Sequence, residues 1–258
     1  MNTYQSLHAR HYDLIYAGKP YAAEAAFVDR AIARPRGTLL DLACGTGRHA
    51  VEFSRLGWTV TGVDYGAELL ERARANAQAA GVAVAFLEQD MRRLDLGAER
   101  FDAVTCLFDS IGYPQTDEGV VAALTGARRH LAPDGVLVAE FLHGPAMVAG
   151  YDPLKVRTWP LDDGGELLRV SRTRLDLEAS VMHVAYDLLE LGPDGRYERS
   201  AEEQANRYFT VSDMRGLVRR AGLVERDFVH AYGADPAVTA DTWHVLVVAT
   251  PAGHRDAP

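Results

Sequence analysis

The stretch "TLLDLACGTGRHAVEFSRLG", residues 38–57, decides how the rest of the chain is read. It opens as an apolar run interrupted by Asp41, which predicts a short buried strand. A turn containing Gly45 and Gly47 follows, and "GRHAVEFSRLG" then has helical spacing up to Gly57. A strand, Gly-rich turn and helix in that order aim backbone N–H groups and a helix N-terminus at a ligand. The residues of the turn say which ligand. The phosphate loop GxxxxGK[ST] is absent. The dinucleotide pattern GxGxxG would fall on Ala43, Gly45 and Arg48, so two of its three glycines are missing. Asp41 would repel a diphosphate but favours a cation, by about 1 to 4 kcal/mol for charges ~4 Å apart at surface-like dielectric. Gly45 and Gly47 leave room for a ligand to approach the backbone.

The same rhythm continues on both sides. Upstream, residues 21–34 have helical spacing at Ala25, Val28 and Ile32 and are stopped by Pro35 and Gly37. Downstream, strands are predicted at 59–64, 84–90, 101–109 and 135–142, with helices at 68–81 and 117–131 between them. Strands alternating with helices at this spacing form βαβ units and a parallel sheet. The alternation breaks near Gly144. Residues 156–209 read as β without an intervening helix: 166–178, 180–191 and 196–209, with the turn "GPDG" at 192–195. A helix from 210, capped by Thr210 or Ser212, and strands near 224–233 and 243–251 complete the chain. The expected fold is an α/β, Rossmann-like, seven-stranded, mostly parallel sheet with helices on both faces, plus an antiparallel β insertion acting as lid or dimer surface. We expect one domain: an N-terminal helical cap over 1–36, a ligand-binding core over 37–144, the insertion over 145–209 and the return to the core over 210–250. The tail after 251 is expected to fray.

The net charge of −9 and the lack of a basic stripe argue against nucleic acid as partner. Two cysteines, Cys44 and Cys106, offer neither a disulfide framework nor metal-ligand spacing. No run nears the ~18 apolar residues of a membrane span. The first twenty residues are too polar for a secretory signal. These features predict a reduced, cytoplasmic enzyme without a membrane or metal partner. HExxH, CxxC and GxSxG are all missing, so zinc-protease, dithiol and serine-hydrolase chemistries are not expected.

Further strand ends carry matching signals. Asp64 closes "GVD", 23 positions after Asp41, and Tyr65 follows it. Asp90 and Met91 close "LEQDM", and "FDAVTCLFDSIGY" runs over 101–113. Together these stretches resemble the motifs of class I S-adenosylmethionine-dependent methyltransferases. The resemblance covers residues 39–113, with "LAPDGVLVAEF" fitting beyond, and departs at Ala43 and Gly66, where many members carry glycine and serine. It implies S-adenosylmethionine as cofactor, held by Asp41, Ala43, Gly45, Asp64, Tyr65, Asp90, Met91 and Leu107. Asp64 would accept from the ribose hydroxyls, Asp90 from the adenine amino group, and Met91 would flank the ring. Tyr12, Lys19 and Tyr21 would close over the cofactor from the N-terminal segment, Lys19 reaching its carboxylate.

"HYDLIYAGKPYAAEA" and "LFDSIGY" further resemble small-molecule N-methyltransferases, including those acting on amino sugars. The expected partner is therefore a small-molecule acceptor, most simply an amine. A hydroxyl acceptor, giving an O-methyltransferase, and a cofactor-binding protein without turnover are the alternatives. An amine has only to lose a proton, whereas a hydroxyl needs a stronger base. The candidate catalytic residues are Tyr12, Tyr113 and His143. Glu140, a carboxylate inside an apolar strand, needs a partner, either substrate or a neighbouring arginine.

Overall fold

A computed structural model describes residues 7–253. The N-terminal segment forms α1 (Leu7–Arg10), α2 (Tyr12–Ile15) and α3 (Tyr21–Ile32). The alternating core then runs β1 (Thr38–Leu42), α4 (Arg48–Arg55), β2 (Thr59–Asp64), α5 (Ala67–Ala80), β3 (Val84–Glu88), β4 (Phe101–Cys106), α6 (Asp117–Arg129) and β5 (Leu131–Leu142). A short α7 (Gly144–Gly150) leads into β6 (Leu154–Pro160), β7 (Glu166–Asp176), β8 (Val181–Leu191) and β9 (Tyr197–Arg207). The chain returns through α8 (Val211–Arg220), β10 (Leu223–His230) and β11 (His244–Pro251). The tail from 254 onward lies outside the described residues.

The main sheet has seven strands in the order β10-β11-β5-β4-β1-β2-β3. Pairing is parallel from β5 to β3, and β11 is antiparallel to both its neighbours. Alternate side chains explain the three layers. Leu39, Val60, Ala103 and Val138 point to one face, under α3, α4 and α5. Leu40, Val63, Val104 and Ala139 point to the other, under α6 and α8. The order reverses at β1 and β4, whose carboxyl ends part to leave a crevice, the usual place for a ligand in an open α/β sheet. Gly62 keeps the chain close there: a Cβ on it would press on the Phe86 ring and on Cys44 Sγ, at 2.8 and 2.9 Å.

The insertion is a separate antiparallel sheet, β6-β7-β8-β9. The sequence reading begins its β structure at 156 and separates three strands; the structure has four, and α7 precedes them. The "GPDG" turn closes the β8–β9 hairpin, with Gly192 N–H donating to the Arg196 carbonyl at 2.8 Å. One face of the sheet packs on the N-terminal helices through Leu7, Ile15, Leu167 and Leu188. Gly112, in the turn after β4, abuts β9 so closely that a Cβ on it would overlap the Asn206 side-chain oxygen and the Arg207 carbonyl. α8 is capped by Thr210 in a capping box with Asp213.

Candidate active site

The crevice is built around two buried aspartates. Asp64, at the end of β2, is 5% exposed. Its Oδ2 accepts from Gly45 N–H at 2.9 Å and its Oδ1 from Gly66 N–H at 2.8 Å. The carboxylate therefore clasps the Gly turn from the neighbouring strand. Ala43, Gly45 and Gly47 all have left-handed backbones, at φ 53°, 55° and 72°. For the two glycines this is unstrained; Ala43 carries its methyl there.

Asp41, at the end of β1, is 2% exposed. Thr105 Oγ1 donates to its Oδ1 at 2.8 Å. Its Oδ2 is buried without a hydrogen-bond partner among the described residues. Burial pushes this carboxyl up to about 7, with the Asp64 charge adding to the effect. A buried acceptor lacking a donor costs free energy until a donor arrives. The ammonium of S-adenosylmethionine can donate to that oxygen and its sulfonium adds a positive charge, so the residues fit that molecule.

Two adjoining hollows open here, sharing Ala43, Asp64, Tyr65, Met91 and Tyr113. The inner one, about 60 Å³, is lined by Tyr12, Tyr21, Asp41, Gly45, Leu107 and Phe108 among others. The outer one, about 710 Å³, lies between Asp90, Arg92 and the insertion residues Arg174, His183, Glu203 and Gln204. The insertion thus walls the site, as a lid would. A third hollow, about 390 Å³, lies between Asp95, Arg128 and Pro251, away from these residues.

The structure brings Tyr12, Tyr21, Asp41, Ala43, Gly45, Asp64, Tyr65, Met91, Leu107 and Tyr113 to the inner hollow. Asp90 lines the outer one, with its Oδ1 and Oδ2 accepting from Arg92 Nε at 2.9 and 3.0 Å. That guanidinium holds its carboxyl below the usual range. Two expected residues are placed otherwise. Lys19 Nζ donates to Glu24 Oε1 at 2.7 Å and lies 4.4 Å over the Phe108 ring, outside both hollows. Glu24 also meets His49 Nε2 at 2.8 Å, so the lysine charge is already engaged by a carboxylate. His143 is buried, 6% exposed, and its Nδ1 lies 3.0 Å from the Thr242 carbonyl. It opens α7 and lines neither hollow. Burial lowers its proton affinity, and its ring is turned toward the Thr242 carbonyl.

Sequence reasoning named Glu140 but not the charged group around it. Glu140 is 1% exposed. Its Oε2 accepts from Phe108 N–H at 2.8 Å and from the Tyr232 hydroxyl at 2.7 Å. His244 Nδ1 stands 3.1 Å from Asp109 Oδ1 and 3.4 Å from Glu140 Oε1. The one available signal was a glutamate within "VLVAEFL", which must be compensated if buried.

A family profile described as a methyltransferase domain matches residues 39–135. The chain is 34% identical, over 82% of each protein, to the dTDP-3-amino-3,6-dideoxy-alpha-D-glucopyranose N,N-dimethyltransferase of Streptomyces fradiae. It superposes on SAM-bound CalS10, an amino pentose methyltransferase from Micromonospora echinaspora, with TM-score 0.73, 29% identity and coverage of 97% and 98%. A methyltransferase structure from Clostridium acetobutylicum shares the fold at TM-score 0.81 and 19% identity, covering 95% and 97%. Sequence identity and a fold shared over this length place the chain among the class I S-adenosylmethionine-dependent methyltransferases, with S-adenosylmethionine as its methyl donor.

Proposed function

We propose that the enzyme transfers the donor methyl group to an amine nitrogen of a small molecule, and that a nucleotide-linked amino sugar is its acceptor class. The observation that carries this reading is the outer hollow. It adjoins the donor crevice at Tyr113, and its volume and polar wall suit one small ligand. The name of the Streptomyces fradiae relative supplies the nitrogen. The withdrawal of His143 from the cavity favours an acceptor that needs no strong base.

S-adenosylmethionine supplies an electrophilic methyl on a positively charged sulfur. Asp41 and Asp64 hold its cationic and ribose portions, while Asp90 and Met91 face its base. Tyr12 and Tyr113 orient the acceptor nitrogen and exclude water, so that the chain contributes chiefly alignment. The insertion shields the site, and its exposed Leu154, Val156 and Tyr197 suit self-association into a homodimer in the cytoplasm.

Methyl-13C donor offered with dTDP-3-amino-3,6-dideoxyglucose and, separately, its 3-hydroxy counterpart tests the reading. A 13C signal at an N-methyl shift on the amine alone supports it. Equal transfer to the hydroxyl compound would make the enzyme an O-methyltransferase. Tight donor binding without transfer across a broad acceptor panel would leave a binding protein.

A further inference from the structure

The turn after β4 has two consecutive left-handed residues that are not glycine, Phe108 at φ 56° and Asp109 at φ 57°. Such a backbone persists only when its surroundings hold it. Three elements supply that hold. From β5, Glu140 Oε2 accepts the Phe108 N–H at 2.8 Å. From β9, Asn206 Nδ2 donates to the Asp109 carbonyl at 3.1 Å. From β11, His244 Nδ1 faces both Asp109 carboxylate oxygens at 3.1 Å and Glu140 at 3.4 Å. The convergence follows from register. Glu140 lies opposite Leu246 and His244 opposite Leu142, so both side chains leave the same face of adjacent strands. The residues bracketing Asp109 belong to the donor site: Phe108, Ser110 and Tyr113 all line the inner hollow.

We propose that Asp109, Glu140 and His244 are positioning residues, a charge clamp in which the imidazolium holds two buried carboxylates together and thereby keeps Phe108, Ser110 and Tyr113 in the wall of the donor site. The proposal rests on the donor-site reading, not on the identity of the acceptor. Without the imidazolium, Asp109 and Glu140 are like charges facing each other in a dry site, and one must take up a proton or move away. Moving Glu140 releases the Phe108 N–H, and moving Asp109 opens the turn. The charged groups facing His244 are Asp109 from the turn, Glu140 from β5 and, farther off, Lys19 from the N-terminal segment, with the Tyr232 hydroxyl bound to Glu140. The two carboxylates outweigh burial and Lys19, and raise the imidazole to about 9. The clamp is therefore complete at neutral pH and is lost as pH rises through about 9.

The test uses S-adenosylhomocysteine and needs no acceptor. At pH 7, His244→Gln should bind it about tenfold more weakly than the unmodified enzyme, and the ratio of the two affinities should fall toward one above pH 9. The ligand's own titration cancels in that ratio. In the unmodified enzyme, the Phe108 amide resonance should shift with a midpoint near pH 9. A ratio that stays constant from pH 7 to 10, or a Phe108 amide that does not move, overturns the proposal. So does a divalent metal retained in equimolar amount through desalting, because the cluster would then hold an ion. Failure to methylate any amine bears on the proposed function and leaves this result unchanged. Should His244→Gln not fold, the amide titration of the unmodified enzyme still decides.

Discussion

At the residue scale the site is two carboxylates with opposite tasks. Asp64 has donors for both oxygens, whereas one oxygen of Asp41 has no partner among the described residues. Asp64→Ala should therefore weaken S-adenosylmethionine binding by about 2 to 3 kcal/mol, the scale of a lost charged hydrogen-bond pair, and should also loosen the Gly turn. Calorimetric affinity within a factor of two of the unmodified enzyme would contradict the assignment. Asp41 trades stability for function. Its carboxyl is raised from 3.8 to about 7, so the folded chain binds more protons than the unfolded one between those values. The ligand-free enzyme should lose stability as pH rises across that window, by about 4 kcal/mol at ~1.4 kcal/mol per unit. Asp41→Asn should thus melt at a higher temperature than the unmodified enzyme at pH 8, in the absence of ligand; an unchanged or lower melting temperature would refute this. Tyr113→Phe should lower turnover more than donor affinity, and equal loss of both would assign Tyr113 to packing.

At the element scale, two contacts control access. Asp13 on α2 accepts from Thr46 Oγ1 at 2.8 Å and from Asn76 Nδ2 at 3.0 Å, which ties the N-terminal cap to the Gly turn and to α5. Asp13→Ala should release S-adenosylhomocysteine about tenfold faster in stopped-flow fluorescence, as expected for losing about 1.4 kcal/mol of charge-assisted bonding. Gly112→Ala should unseat the insertion from the turn after β4, costing roughly 1 to 3 kcal/mol, readable as earlier proteolysis within 154–207. The alternating elements from 38 to 142 were legible because hydrophobic period and Gly stops agree there. α7 was not: seven residues with Pro145 and four small ones, Gly144, Ala146, Ala149 and Gly150, show no helical period. β6 does not stand apart from β7 in the sequence, because its mostly exposed residues show no inward-outward alternation.

At the scale of the whole molecule, the convergence of Asp41, Asp64 and Asp90 on one crevice was readable because the fold brings strand ends together in chain order. Asp41, Asp64 and Asp90 lie at or just beyond the carboxyl ends of three strands of one parallel sheet, so their linear spacing predicts their convergence. The clamp was not readable, because Asp109 and His244 are 135 residues apart and meet only through the antiparallel return of β11. The orientation of His143 was not readable for a related reason: ending a strand places a residue near the crevice, but the direction of its ring is set by Thr242 from a distant loop. What unites the molecule is a sheet whose switch point holds a buried carboxylate with one oxygen unpartnered among the described residues, and we propose that the cationic nucleoside is the ligand that completes it. The decisive experiment is calorimetric titration of S-adenosylmethionine into the unmodified enzyme and Asp41→Asn, at pH values from 5 to 8. Affinity in the unmodified enzyme should fall by up to about tenfold per unit below pH 7, and Asp41→Asn should bind weakly with a flat profile. Equal affinities and parallel profiles for the two proteins would show that Asp41 is not the cation's partner.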